Sequence, residues 1–340
     1  MQATSRTVVV TGASAGAGRA IAQHFGSRGW RVGLVARNVE RLEAARREIE
    51  DSGGSALVLP ADTGDAQAVF AARDKAMAAW GSIGVWVNAA MSTVVSPIAR
   101  MTPEEYRRVT EVTYLGYVHG TLAALEVMRA SDRGTIVQVG SALAYRAIPL
   151  QSAYCAAKFA VRGFTDSLRT ELLYQRSRVR VTMVQLPGMN TPQFDWARNK
   201  FATKYQPVGT VYQPEVAAAA VYRAALHAPR ELWVGGSAIQ AILGQLVAPG
   251  VMDRILARSA WSGQVTETPE APQRRDNLEE SVPGPYGVHG RFDSRAQPKA
   301  LVVNPQHLRL GVLALAAALA SRLVTRATAR NKQLKRAART

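Results

Sequence analysis

Short runs of apolar and β-branched residues recur along the first 235 positions and alternate with stretches of helical periodicity. The strand-like runs fall at about 7–10, 31–36, 56–60, 85–88, 135–139, 180–186 and 231–234. Alternating strands and helices are typical of a parallel sheet that is covered by helices on both faces. The pattern therefore predicts an α/β protein with a doubly wound, seven-stranded parallel sheet, followed by a C-terminal extension.

The first of these runs leads into a glycine-rich turn. Thr7–Thr11 is rich in β-branched residues, and Gly12, Gly16 and Gly18 follow before a helical pattern begins. A strand, a glycine turn and a helix in this order bind the pyrophosphate of a dinucleotide at the helix N-terminus. Glycines let the backbone approach the phosphates without a Cβ in the way. The spacing G-x-x-x-G-x-G differs from the common G-x-G-x-x-G, and a tight turn without a ligand is the alternative.

The second strand ends in Arg37, where an NAD site usually has an acidic side chain for the ribose 2′-hydroxyl. An arginine can instead pair with a 2′-phosphate, so the sequence favours NADP(H) over NAD(H). The alternative is that Arg37 only begins the solvated helix Asn38–Ser52.

Tyr154 and Lys158 are four residues apart in a predicted helix, and Ser141 ends the strand before it. Residues at i and i+4 share a helix face, so the phenol and the ammonium can point into one pocket. Tyrosine ordinarily titrates near pH ~10, and a neighbouring cation favours the phenolate. This combination suits Tyr154 as a general acid or base.

Because the glycine turn and the Tyr154–Lys158 pair occur in one chain, the sequence resembles the short-chain dehydrogenase/reductase family, of the NADP type, from about Thr7 to Gly235. The resemblance implies a Rossmann fold and an oxidoreductase that interconverts an alcohol and a carbonyl by hydride transfer. Pro187–Thr191 resembles the family's P-G-x-x-T loop, which clasps the nicotinamide, whereas the N-N-A-G turn is reduced to Val87–Ala90. The cofactor-binding residues that it implies are Gly12, Ser14, Ala15, Gly16, Ala17, Gly18, Arg37, Asp62, Thr63, Asn88, Ala89, Tyr154, Lys158, Pro187, Gly188 and Thr191.

The family's mechanism carries over to four positions. Tyr154 would exchange the proton of the substrate oxygen, and Ser141 would hydrogen-bond the same oxygen. Lys158 would lower the pKa of Tyr154 and bind the nicotinamide ribose. Thr113 stands where the family often has an asparagine that helps a water link the lysine to solvent. The alternative to an enzyme is a noncatalytic dinucleotide-binding scaffold or sensor that uses its C-terminal tail for interactions.

The chain beyond the predicted sheet changes character. We expect a dinucleotide-binding catalytic domain at 1–260, an extended linker with six prolines at 261–308, and a tail at 309–340. The tail carries an eleven-residue apolar run, too short for the ~20 residues of a bilayer span, and then a basic end. Contact with an anionic membrane surface, docking on a partner chain and a solvated helix all remain open for it.

Composition narrows the classes of function and of binding partner that remain. The formal net charge is +17, but no aromatic platform accompanies the basic tail, so we expect no specific nucleic-acid binding. The single cysteine fits a reducing compartment, and the absence of a signal-like segment predicts a cytoplasmic protein, with membrane association through the tail as an option. The five scattered histidines predict no metal site. The predicted partners are a small-molecule alcohol or carbonyl substrate and other copies of the chain. Aromatic residues in the loop 192–209 favour a lipophilic substrate unless they pack within the loop itself.

Overall fold

The computed structural model describes residues 6–307, and a parallel sheet lies at its centre. The described strands are β1 (Thr7–Thr11), β2 (Arg31–Ala36), β3 (Ser55–Pro60), β4 (Val85–Asn88), β5 (Val94–Val95), β6 (Gly134–Ser141), β7 (Val179–Leu186), β8 (Gly188–Met189), β9 (Arg198–Asn199), β10 (Thr203–Tyr205), β11 (Val211–Tyr212), β12 (Glu231–Val234), β13 (Val265–Pro269) and β14 (Val302–Val303). Seven of them pair in parallel in the order β12-β7-β6-β4-β1-β2-β3, which confirms the predicted sheet. The two-residue strand β14 extends this order at its β12 edge.

Helices cover both faces of the sheet. The described α-helices are α1 (Gly16–Gly26), α2 (Val39–Asp51), α3 (Ala66–Trp80), α4 (Pro103–Thr110), α5 (Gly116–Ser131), α6 (Ser152–Tyr174), α7 (Gln193–Trp196), α8 (Pro214–His227), α9 (Gly236–Val247) and α10 (Pro249–Gln264). One apolar core joins α1, α2 and α8 to the sheet, and a second joins α3, α5 and α6 to it. The sheet is therefore doubly wound, as predicted. Because both faces are covered, central strands such as β1 are buried along their whole length.

The helical segment from Pro103 to Ser131 is interrupted in its middle. Thr102 caps the start of α4 in a reciprocal bond pair with Glu105, but the chain then makes a π-helical turn over Glu111–Leu115 before α5 begins. Within this turn, the Thr113 hydroxyl donates to the Ser92 carbonyl and accepts from the Ser92 N–H, each at 2.9 Å. These two bonds attach the π-helical turn to the segment that follows β4. Such a contact between distant segments cannot be read from hydrophobic periodicity.

The part of the extension up to Val302 packs onto the sheet domain. Residues up to Val302 belong to one compact unit, and a second unit begins at Val303, of which the structure describes only the residues to His307. β13 pairs antiparallel with β10, and the following residues 277–287, which we call the strap, run beside the glycine turn. The proposed division at residue 260 stays a prediction. The predicted tail at 309–340 lies outside the described residues.

Within residues 6–307, the model contains no helix that combines the length and the apolar character needed to cross a bilayer. The same residues hold no cluster of three or more His, Cys, Asp or Glu side chains suited to a metal ion.

A buried polar network ties the middle of the sheet to α5. The Trp86 indole N–H donates to Asn88 Oδ1 at 2.9 Å, and Asn88 Nδ2 donates to Gln138 Oε1 at 2.9 Å. The Thr121 hydroxyl accepts from both amides, at 3.3 Å from Asn88 and 3.0 Å from Gln138. A Cβ on Gly120 would lie 2.1 Å from Asn88 Oδ1, so glycine is what allows α5 to approach β4 this closely.

We predict that Thr121→Val lowers the free energy of unfolding by about 1–3 kcal/mol, because the buried Gln138 amide N–H loses its acceptor, whereas Asn88 keeps the Tyr117 carbonyl and Gln138 Oε1. Urea unfolding measures the change. Thr182→Val is the matched control, since the buried Thr182 hydroxyl has no hydrogen-bond partner among residues 6–307. Equal losses in the two variants would contradict the assignment of the network.

Candidate active site

The turn after β1 lines a cavity of the described fold. Gly12 has φ +72°, and a Cβ there would lie 2.9 Å from the backbone of Ala90. A Cβ on Gly18 would lie 2.2 Å from the Gly12 carbonyl oxygen, so a side chain at either position would force the turn apart. α1 begins at Gly16 inside this turn, and Gly16, Ala17 and Gly18 line the cavity, so that the helix N-terminus, where an anion is favoured, borders it.

The cavity has a volume of about 540 Å³ and lies along the carboxyl ends of the central strands. Chain connection reverses between β1 and β4, the place where open α/β sheets bind ligands. The predicted site residues that line the cavity are Gly12, Ser14, Ala15, Gly16, Ala17, Gly18, Arg37, Asp62, Thr63, Ala89, Ser141, Tyr154, Lys158, Pro187, Gly188 and Thr191. Asn88 and Thr113 are not among the lining residues. Asn88 belongs to the buried polar network that ties the sheet to α5, and Thr113 is hydrogen-bonded to Ser92.

The catalytic candidates meet at one end of this cavity. Ser141 ends β6, and Tyr154 and Lys158 lie one turn apart in α6. The Lys158 ammonium is 5.6 Å from the centre of the Tyr154 ring. The Ser141 hydroxyl accepts from the Leu143 N–H at 3.1 Å and also forms a hydrogen bond with the Tyr154 phenol.

Tyr117 is a lining residue that the sequence analysis missed. Lys158 Nζ donates to the Tyr117 hydroxyl at 2.8 Å and to the Val139 carbonyl at 2.9 Å, and the Tyr117 hydroxyl donates to the same carbonyl. Tyr117 lies one helical turn after Thr113, so the π-helical turn brings Tyr117 rather than Thr113 to the lysine. The i+4 spacing from Thr113 is the only sequence signal that could have indicated it.

Burial shifts the proton affinities at this end in opposite directions. It raises the pKa of the Tyr154 phenol well above its usual value, and a hydrogen bond with Ser141 offsets only part of that rise. Burial also lowers the pKa of the Lys158 ammonium to about 7. Both groups are thereby biased toward their neutral forms in the cavity.

The other end of the cavity is rich in arginines. The Arg37 guanidinium donates to the strap carbonyls of Asn277 at 2.6 Å and Leu278 at 3.5 Å, and also to that of Glu279. Burial lowers the pKa of Arg37, and Asp62 raises it in part. Asp62 itself forms an ion pair with Arg108. The structure thus brings Arg37 and Asp62 to the cavity, but their polar atoms already have protein partners.

The strap also reaches the glycine turn. The Gly16 N–H donates to the Gly287 carbonyl at 3.0 Å, and Arg19 donates to the Tyr286 carbonyl at 3.1 Å. Asn277 and Ser281 line the cavity. The strap is therefore a wall of the site, contributed by residues that carry no cofactor-binding motif.

Many of the side chains that line the cavity are apolar. They include Leu143, Ile148, Phe194, Pro207, Val208, Ala241, Met252 and Leu256. Of the aromatics in the loop 192–209, Phe201 and Tyr205 pack with Phe194 and Phe292 in a separate small core. Trp196 lines the cavity at the arginine-rich end.

The chain is similar in sequence to known proteins of one family. The family model described as short chain dehydrogenase matches residues 6–200. An uncharacterized oxidoreductase of Bacillus subtilis, YxnA, is 31% identical over 291 residues, 84% of this chain and 80% of its own. The 3beta-hydroxysteroid dehydrogenase 1 of Eggerthella lenta is 34% identical over 255 residues, 72% of this chain and 95% of its own.

Two solved structures are similar as well. A metagenomic short-chain oxidoreductase in complex with NADP aligns with a TM-score of 0.55 and 31% identity, over 66% of this chain and 92% of that one. An alcohol dehydrogenase from the archaeon Thermococcus sibiricus, complexed with 5-hydroxy-NADP, aligns with a TM-score of 0.57 and 26% identity, over 67% and 94%.

The lowered pKa of Lys158 predicts a pH-dependent contribution to stability. Its folded value of about 7 lies below the ~10.4 of an unfolded lysine, so between these values the unfolded chain binds a proton that the folded chain does not. The free energy of unfolding of the wild type should therefore rise with pH relative to Lys158→Met, by up to about 1.4 kcal/mol per pH unit. Urea unfolding of both proteins from pH 7 to 9 measures this difference. Parallel pH curves would contradict it.

Proposed function

The chain belongs to the short-chain dehydrogenase family, and from this premise we propose that it interconverts an alcohol and a carbonyl with NADP(H), using Tyr154 as the general acid or base. It is an oxidoreductase with a nicotinamide dinucleotide cofactor and a small-molecule substrate. The proposal of alcohol and carbonyl interconversion by Tyr154 rests on one observation. Ser141, Tyr154 and Lys158 converge at one end of a cavity that begins at the glycine turn. The comparisons do not favour a noncatalytic scaffold.

The residues present fit the cofactor. The glycine turn offers a surface that a Cβ would fill, and the cavity runs without a break from there to Tyr154. Gly12–Gly18 would hold the pyrophosphate, Asp62 and Thr63 the adenine side, and Pro187–Thr191 with Lys158 the nicotinamide ribose. When bound, the cofactor supplies or accepts the hydride.

The chain's own residues handle the proton. Because its pKa is raised, Tyr154 stays protonated at neutral pH, which suits proton donation to the oxygen of a carbonyl substrate. Ser141 donates its hydroxyl to the same oxygen and so orients the substrate. Tyr117 and the Val139 carbonyl hold the Lys158 amine beside the phenol.

The positive charge around Arg37 and Arg41 supports NADP(H) over NAD(H). Titration by nicotinamide fluorescence tests this preference, with NADPH expected to bind more tightly than NADH. Comparable affinities would leave the enzyme assignment intact and overturn the preference. Binding of neither nucleotide to folded protein would overturn the proposal itself.

An apolar, ring-bearing substrate is supported by the apolar side chains that line the cavity and by the name of the Eggerthella lenta relative. A panel of cyclic and aliphatic ketones set against small sugars tests it. Turnover of the sugars alone would contradict an apolar substrate.

We further propose a homo-oligomer. The family often assembles through the helices at about 103–130 and 152–176, and here Leu122 on α5 and Phe159 on α6 are exposed. Sedimentation velocity checks this, because a single species near 36.6 kDa would show a monomer.

Tyr154→Phe should lower kcat/KM by about 10²–10⁴-fold, because the proton donor is lost. Its affinity for NADPH should stay nearly unchanged, whereas Lys158→Met should reduce both. Steady-state kinetics and fluorescence titration separate the two effects. Tyr174→Phe, on the exposed end of the same helix, is the matched control and should behave as wild type.

A further inference from the structure

The helical hairpin formed by α9 and α10 exposes apolar side chains. A surface helix usually turns polar and charged residues to solvent and packs its apolar residues inward. On this hairpin, six large apolar side chains are exposed, and an exposed apolar cluster of this kind marks an interaction site. They are Leu243, Leu246, Val247, Val251, Ile255 and Trp261.

Helical spacing gives α10 two different sides. Met252, Leu256 and Ala260 follow one another at intervals of four residues and face inward, since the first two line the cavity and Ala260 is buried. Val251 and Ile255 are also four residues apart, but they are 52% and 50% exposed. One side of α10 is thus a wall of the cavity, and the other presents apolar side chains to solvent.

The hairpin is held firmly in the fold. A Cβ on Gly244 would lie 2.7 Å from Met252 Sδ, so glycine allows α9 and α10 to approach closely. Arg146, in the segment after β6, donates to Gln245 Oε1 on α9 at 2.8 Å and to Asp253 Oδ1 on α10 at 2.7 Å. The exposed apolar side chains are therefore carried by two helices that are bonded to the sheet domain.

The charge on the hairpin is positive. Asp253 is the one acidic residue of Gly236–Gln264, and its carboxylate is paired with Arg146. The Arg254 and Arg258 side chains are exposed and have no ion-pair or hydrogen-bond partner among residues 6–307. By helical spacing, both arginines lie among the exposed apolar residues of α10. The outer side of the hairpin therefore combines apolar side chains with free positive charge.

This combination fits the surface of an anionic bilayer better than a second copy of the chain. Two copies of the same face would bring Arg254 and Arg258 of each together with no free acid between them, and like charges oppose association. Anionic headgroups instead attract the arginines, while aliphatic and tryptophan side chains enter the interface below the headgroups.

We propose that the outer side of α9–α10 docks on an anionic bilayer surface, with its exposed apolar side chains in the interface and Arg254 and Arg258 at the headgroups. Docking in this way brings the helix that walls the cavity next to the acyl chains, where lipophilic molecules dissolve. It requires neither the proposed reaction nor the tail at 309–340.

Flotation of the full-length protein with vesicles tests the docking. Wild type should bind vesicles of phosphatidylcholine and phosphatidylserine in equal parts more tightly than vesicles of phosphatidylcholine alone. Arg254→Gln combined with Arg258→Gln should weaken binding to the mixed vesicles by about 25-fold, since each arginine at an anionic surface contributes about 5-fold. Val251→Ser combined with Ile255→Ser should weaken it by about 10-fold, because less apolar surface enters the interface.

Arg129→Gln combined with Arg133→Gln is the matched control for net charge. Both arginines are exposed near the start of β6, and neither lines the cavity. This double variant should bind the mixed vesicles as wild type does. Thermal unfolding checks that every variant is folded, which is expected because the substituted side chains lie at the surface.

Trp261 provides a second measurement, since it is 45% exposed on the hairpin. Mixed vesicles should shift the tryptophan emission of the wild type to shorter wavelength, because the indole leaves water for the interface. Trp261→Phe should abolish that shift. A shift that persists in this variant would place the contact elsewhere and contradict the proposal.

Three further results would overturn the docking. Wild-type affinity for the mixed vesicles in both α10 double variants would assign the binding to another surface, such as residues 309–340. An equal loss in the Arg129 and Arg133 control would show attraction by net charge alone. No vesicle binding by wild type, together with a smaller sedimentation coefficient for the Val251 and Ile255 variant, would show that the face joins two copies. Failure of the proposed reaction is a separate result, in which vesicle binding persists without turnover.

Discussion

The close approach of the turn after β1 to the chain after β4 is the constraint on which the site depends. Gly12 and Gly18 have no room for a Cβ, and the Thr11 hydroxyl accepts from the N–H groups of Ala89 and Ala90 at 3.0 and 3.2 Å. These contacts hold together two strands whose connections run in opposite directions. The crevice between them is the cavity, and α1 points its N-terminus into it. The contact between these two segments therefore positions both the glycine-turn end and the Tyr154 end of the cavity.

The two ends of the cavity handle charge in different ways. At the Tyr154 end, burial drives an acid and a base toward their neutral forms, and backbone and phenol oxygens hold the amine. At the arginine-rich end, guanidinium groups keep their charge and are joined by carbonyls, carboxylates and aromatic rings. Such a division suits a ligand that is anionic at one end and uncharged where its chemistry takes place.

Much of the fold could be predicted from the sequence because the signals are local. Each strand of the sheet is an apolar run, and Tyr154 and Lys158 share a helix face by spacing alone. Tyr117 could not be found this way, because the π-helical turn that brings it to Lys158 depends on Thr113 bonding to Ser92 in another segment. Asn88 fell in a motif associated with the cofactor, but its amide serves a buried network whose other members lie in distant segments. The strap escaped prediction for the same reason, since prolines and a lack of periodicity say nothing about where an extended segment packs.

The bond between Gly16 and Gly287 has a consequence for the order in which the protein is made. It joins two residues that are 271 positions apart in the sequence, so the loop that it closes spans nearly the whole sheet domain. Synthesis proceeds from the N-terminus, and the glycine turn leaves the ribosome long before the strap does. A nascent chain that has completed β12 already has the seven parallel strands of the predicted sheet, its glycine turn and its Tyr154, but the nucleotide site still lacks one wall. The enclosed form of the site is therefore a late product of biogenesis, assembled after the sheet that supports it.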